Sequence, residues 1–183
     1  MLQQCPRSRT STSVTIPMPL PIARSLVLAL GVLAAPAALA AQAGPPPVTV
    51  NQPALSFEGA RRIAAAAAEE AQRNGWGVSI AVVDTHGELL FFARLDGAHQ
   101  QSVDISQAKA RTAARWRRET KALEDAVAGG RTVLMAGEGM LPLEGGVPIL
   151  LDGRVIGGAG VSGVTSQQDA QVAKAGIRAV FPQ

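Results

Sequence analysis

The side chains best suited to chemistry in this sequence are few, and they cluster along its middle. Arg94-Leu95-Asp96-Gly97-Ala98 brings a guanidinium and a carboxylate to a glycine turn, and Lys109 stands in a helical stretch where apolar residues are expected. An arginine and a lysine converging on a glycine-lined rim would bind a carboxylate, the arginine through its planar fork and the lysine as a point charge. Such a rim is the ligand pocket expected here. Lys109 and Asp169 have a second use, as an acid/base pair acting on a small carboxylate or hydroxy acid, which requires a depressed lysine pKa. Their plain alternative is a structural ion pair, or for Asp169 a favourable charge in a first helical turn. His99 follows the glycine turn on an exposed rim, where an imidazole could reach an iron or simply remain solvated. His86 reads as filler in a hairpin turn. Met135 and Met140 are soft ligands or, more plainly, packing residues.

Other chemistries are excluded by spacing. Only two histidines occur, with no H-x-x-H or H-E-x-x-H pattern, which argues against zinc. Ser102, Ser162 and Ser166 are available as hydroxyls, but Gly160-Val161-Ser162-Gly163 lacks the spacing of a nucleophile elbow. Gly158-Ala159-Gly160-Val161-Ser162-Gly163 matches G-x-G-x-x-G literally, yet the chain ends at Gln183, before a second parallel strand and its acidic residue. These glycines are expected instead to let the backbone approach a ligand or a neighbouring helix.

The first forty residues read as an address. Arg24 precedes the apolar run Ser25–Ala35, and Ala38-Leu39-Ala40 supplies a small-x-small cleavage pattern, so cleavage is expected after Ala40. The run is too short to span a bilayer. Residues 1–17 have the look of a start codon placed too early, since Met18–Arg24 alone makes an ordinary leader start. Export to the periplasm or beyond follows, with no membrane insertion after cleavage.

Removing the leader changes the electrostatics. The chain has 17 Lys+Arg and 14 Asp+Glu. Arg7, Arg9 and Arg24 leave with residues 1–40 and no acid does, so the two signs balance in what remains. A neutral domain offers no electrostatic footprint for nucleic acid. The single cysteine, Cys5, leaves too, which removes disulfides and thiolate ligands from consideration. Stability must come from an apolar core, and residues 55–183 suffice for one domain.

The elements that position these residues follow from pattern. Residues 41–54 form a Pro-rich linker. Ser56 is expected to cap a helix through Ile63 and the alanine run to Asn74-Gly75. Val78–Val83 and Leu89–Leu95 predict a hairpin around Asp84-Thr85-His86-Gly87. Both strand faces are apolar, so helices are expected on one side and a neighbouring subunit over part of the other, in a homo-oligomer. Val103–Arg118 predicts a helix with Lys109 on or beside its apolar face. Thr120 is placed to cap a short helix ending at Gly129-Gly130. A Gly- and Met-rich loop from Met135 to Gly146, a second hairpin (Val147–Leu151 and Arg154–Val161) and a last helix from Ser166 to Val180 complete the chain. Asp169 is expected in a capping-box position of that helix. Two hairpins separated by helices predict an α+β layered domain around a mainly antiparallel sheet.

Five ordered segments carry a resemblance: Val82–Gly87, Arg94–Ala98, Lys109–Ala113, Gly145–Ile149 and Ile156–Gly163. In that order they resemble the GlcG/HbpS family, which includes secreted haem-binding proteins, a protein of glycolate-utilisation operons and the PduO C-terminal domain. The resemblance covers about residues 55–181. It implies an α/β sandwich of profilin-like layers, assembled as homo-oligomers, often octamers. Asp96–Ser102 and the continuation through Lys109–Ala113 to Trp116 and Thr120 look closest to the secreted haem-binding branch. That branch implies haem as the ligand and a threonine at its iron, here Thr120 with Thr112 behind it. Gly146, Gly160 and Ser162 lie in the matching motifs and join the implied pocket with Arg94, Asp96, Gly97, His99 and Lys109. Where the family usually has an Asp-Glu pair after Gly-Val-Ser-Gly, this chain has Gln168-Asp169. The implied function is an exported protein that stores, buffers or senses haem.

Overall fold

Local signals at Ser56 start the fold where the sequence places it. In the computed structural model, which describes residues 48–182, the Ser56 hydroxyl accepts from the Gly59 amide at 3.1 Å and caps helix α1, Phe57–Arg73. The leader of residues 1–40 and the start of the Pro-rich linker, 41–47, lie outside the described residues. Ala60, Ile63, Ala64, Ala67 and Ala71 recur at three- and four-residue steps and are all buried, so α1 presents one narrow, close-packing stripe.

Strands β1 (Ser79–Val83) and β2 (Leu89–Arg94) form the first hairpin. The Asp84 carboxylate holds its turn by accepting from the amides of His86 at 2.8 Å and Glu88 at 2.9 Å. Helices α2 (Ser102–Trp116) and α3 (Thr120–Ala128) follow, joined through Arg117 in the left-handed conformation. Strands β3 (Gly146–Leu151) and β4 (Arg154–Ser162) make the second hairpin, and α4 (Ser166–Val180) closes the chain. The four strands form one antiparallel sheet in the order β2-β1-β4-β3, which is the α+β class expected.

Helices α1 and α4 pack together on one face of the sheet, and α2 lies on the other across β4, β1 and β3. The central strand β1 is therefore buried along its whole length. Over β4, β1 and β3 the second face is covered by α2 of the same chain. On the α1/α4 face, Ile63, Val78, Ile80, Val82, Ile149, Val161 and Val172 form the main core. The α2 face has a small cluster, Ala81, Val83, Ala110 and Ala114.

Three local expectations are corrected. Thr120 is the first residue of α3 rather than its cap, a position held by Glu119. The cap of α4 is Thr165, whose hydroxyl and the Gln168 side chain complete a capping box, so Asp169 falls one residue past the box and is free for another partner. The glycine- and methionine-rich stretch is entered through a 3₁₀ turn, Thr132–Ala136, that no hydrophobic period announces. Among the described residues, no helix is long and apolar enough to cross a membrane.

Candidate functional site

The glycines of β4 decide how close α2 can come. A Cβ added at Gly160 would overlap the Ser106 carbonyl and the Ala110 amide, and one at Gly158 would lie 2.6 Å from the Ala110 carbonyl oxygen. The literal G-x-G-x-x-G is thus a helix seat within a strand. With the two backbones in contact, Lys109 is pressed against the end of the sheet. Its ammonium donates to Asp169 Oδ2 at 2.8 Å and to the Val161 carbonyl at 3.1 Å. Asp169 Oδ1 accepts from the Val164 amide at 3.2 Å. The two residues are 1% and 2% exposed, which makes this a desolvated ion pair tying α2 to α4.

Burial raises the Asp169 carboxyl above its ordinary pKa; the Lys109 ammonium, the Val164 amide and the charge of His99 pull against that without overcoming it. Gly145 roofs the pair with φ +123°, and a Cβ there would meet Lys109 Nζ at 2.7 Å and Asp169 Cβ at 2.9 Å. No side chain other than hydrogen fits, and in this conformation the ammonium is closed off from solvent. In this conformation the pair joins two helical layers around the sheet end.

The neighbouring hydroxyls are engaged in the same way. Thr120 Oγ1 accepts from the Gly146 amide at 2.9 Å and donates to the Gly146 carbonyl at 3.3 Å, fixing the start of β3 to α3. Thr112 Oγ1 accepts from the Leu141 amide at 2.9 Å and donates to the Gly139 carbonyl at 3.4 Å, pinning the glycine-rich loop. Both side chains are buried, and in this conformation neither hydroxyl is offered to an iron. Gly146 pairs directly with Gly160 in the sheet, and Ser162 is buried at the end of β4 opposite Ser79.

A separate set lies on the surface. Strand β2 ends at Arg94, and the turn through Asp96 and Gly97 is pressed onto Gly77, where an added Cβ would lie 2.6 Å from the Gly97 carbonyl carbon. Arg94 donates to the Ala98 carbonyl at 2.7 Å and to Gln100 Oε1 at 3.2 Å. Among the described residues it has no carboxylate partner within ion-pair distance. Asp96 and His99 are exposed, and the His99 ring makes no hydrogen bond among the described residues. Gln72, Trp76, Arg94, Leu95 and Asp96 line an open pocket of about 420 Å³ with the backbone of Gly75 and Gly77. The structure therefore separates what the sequence grouped: Arg94, Asp96, Gly97 and His99 form a rim, while Lys109, Asp169, Thr112, Thr120, Gly146, Gly160 and Ser162 lie in the interior.

Sequence reasoning did not place Gln72 and Trp76 beside Arg94 in one pocket. The signal was present in Gly75-Trp76-Gly77, an indole between two glycines just before a strand. It also missed Arg111 and Arg115, which donate to the carbonyls of Gly87 at 3.2 Å and His86 at 2.5 Å and hold the first hairpin turn against α2. Among the described residues, no cluster of three or more His, Cys, Asp or Glu is positioned for a metal ion.

Comparison with known proteins gives consistent results. The family model described as haem degrading protein HbpS-like matches residues 55–178. Protein GlcG of Escherichia coli (strain K12) is 54% identical over 108 residues, which cover 59% of this chain and 81% of that protein. The crystal structure of HbpS superimposes with a TM-score of 0.69 at 36% identity, covering 74% of this chain and 96% of that one. A crystal structure of a PduOC:haem complex gives 0.65 at 32% identity, covering 69% and 95%.

Proposed function

From the premise that this chain belongs to the HbpS-like family, we propose that it binds haem at the Arg94–His99 rim and holds it as an exported homo-oligomer that stores, buffers or senses it. The observation that carries the haem reading is the shared fold and sequence of the PduOC:haem complex over nearly all of that domain.

The donor set on the rim fits such a ligand. Haem supplies a Lewis-acidic iron and two propionates. His99 offers an exposed imidazole without a hydrogen-bond partner among the described residues, and the chain's one other imidazole, His86, belongs to a hairpin turn. Arg94 offers a cation held in place by two neutral acceptors rather than neutralised by an acid. Trp76 and Leu95 give the pocket that Arg94 lines its apolar walls.

Export rests on the leader pattern before Ala40, and the homo-oligomer on strand β2, an edge strand whose Leu89, Phe91 and Phe92 are not fully covered by this chain. The acid/base use of Lys109 and Asp169 has no support in a pair that is roofed and already joined.

Haem titration of the purified protein, followed by absorbance, tests the reading. A saturable Soret shift at micromolar haem is expected, unchanged in His86→Ala, altered in position in His99→Ala and about tenfold weaker in Arg94→Gln, the loss of roughly one charge-assisted hydrogen bond. A flat response in the parent protein overturns haem binding, and a His99→Ala spectrum identical to the parent removes His99 from the iron. A band that persists for hours in air with ascorbate as reductant supports holding; decay that requires both the ascorbate and O2 supports degradation instead. Sedimentation as a single chain at micromolar concentration would overturn the oligomer.

A further inference from the structure

Two guanidiniums that neither the interior pair nor the rim uses face one pocket. Arg117 terminates α2 and Arg154 opens β4, and both line a pocket of about 570 Å³. Val50, Pro53, Leu150 and Val155 give it apolar walls. That volume lies within the roughly 300–1,000 Å³ of small-molecule sites, and apolar walls with a few convergent polar groups are their usual make-up.

Neither arginine has an ion pair or a side-chain hydrogen bond among the described residues. The acids nearby in sequence are committed or turned elsewhere: Glu119 pairs with Lys174 at 2.8 Å, and Asp152 lines a different pocket, with Val180 and Phe181. Two like charges thus share one concave surface that no carboxylate of the described residues lines. An anion bridging them would remove their repulsion and accept from both planar forks.

The backbone of Arg117 is unusual for its residue type. It has φ 53° and ψ 38°, the left-handed conformation that a helix C-terminus normally assigns to glycine or asparagine. An arginine serves the turn less well than glycine would, so Arg117→Gly can separate the side chain from the turn. We propose that the Arg117–Arg154 pocket binds a small organic anion, a carboxylate or phosphate carried on a compact apolar body.

Calorimetric titration with benzoate and phenyl phosphate, and with neutral benzamide of the same size, tests this. Both anions are expected to bind saturably at one site per chain, with benzamide at least about tenfold weaker, and Arg154→Gln is expected to weaken the anions by about tenfold. Arg117→Gly separates side chain from turn: it is expected to raise the melting temperature while weakening anion binding. Equal binding of benzamide, anion affinity untouched by both substitutions, or no saturable binding overturns the proposal. So does a lower melting temperature in Arg117→Gly with anion affinity unchanged, which would make Arg117 a structural residue.

Discussion

Under α1 and α4 the sheet presents Ile80, Val82, Val147, Ile149 and Val161, whereas under α2 the same strands present Ser79, Ala81, Gly158, Gly160 and Ser162. The first face is held by bulk: branched aliphatic side chains fill the space between sheet and helices, and each contributes in proportion to the area it hides from water. The second is held by proximity. Glycines and alanines bring two backbones together, and the polar groups trapped between them are closed off in pairs: Lys109 with Asp169, Thr120 with Gly146, Ser79 with Ser102 at 2.8 Å. No buried side-chain polar atom among the described residues lacks a partner. The two faces should therefore differ in what they tolerate. Bulk packing loses stability gradually as methylenes are removed, while close packing fails when one methyl is added or one partner of a pair is lost.

Four measurements sharpen or break that contrast. The largest effect is expected at the buried pair. Lys109→Met leaves the Asp169 carboxyl buried with only the Val164 amide beside it and should cost about 3–5 kcal/mol in urea unfolding, whereas Lys109→Met with Asp169→Leu should recover most of it, since a buried pair replaced by well-packed apolar residues is often neutral. A double variant no more stable than the single one would show that the pair is more than a mutual neutralisation. Next comes Gly160→Ala, whose added methyl overlaps the backbone of α2 and should cost about 3 kcal/mol. On the aliphatic face, Ile80→Val removes one methylene from a fully buried side chain and should cost about 1 kcal/mol; a loss equal to that of Gly160→Ala would erase the distinction between the faces.

The smallest effect is in pH dependence. Burial raises Asp169 above its unfolded value of 3.8, so the folded chain holds that proton more tightly than the unfolded one. The stability this group contributes therefore falls as pH rises from 3.8 through the raised folded value, and the penalty is fully present above it. The exposed Glu58, drawn down by its hydrogen bond to Arg61, has the opposite sign: its contribution is lost as pH falls through its lowered value. Measured against Asp169→Asn, the parent protein should lose relative stability with rising pH across the Asp169 window; a gain would mean that Lys109 outweighs burial.

The fold was legible in the sequence because its signals are local. Ser56 and Asn74 bound α1, Asp84–Gly87 and Asp152-Gly153 mark the turns, and short apolar runs between them mark the strands. The one-residue error at Thr165 and Ser166 arose because adjacent hydroxyls are both competent caps and only the chain's entry direction chooses between them. The interior site was half legible. A lysine on an apolar helical face signals a partner, but Asp169 lies 60 residues away, and no periodicity reports which element packs against which. The same gap placed Lys109 beside Arg94 on one rim: adjacency in sequence was legible, and the opposite burial of the two side chains was not.

The Gly145 roof has a consequence for how the domain comes together. Lys109 is covered once β3 has paired with β4, but it is neutralised only when α4 docks and brings Asp169. A chain with its sheet and α2 assembled and its last helix undocked would carry a sealed, uncompensated ammonium, a burden of several kcal/mol. Half-built forms are thereby disfavoured, and a pair that hardly strengthens the finished domain makes its completion nearly all-or-none.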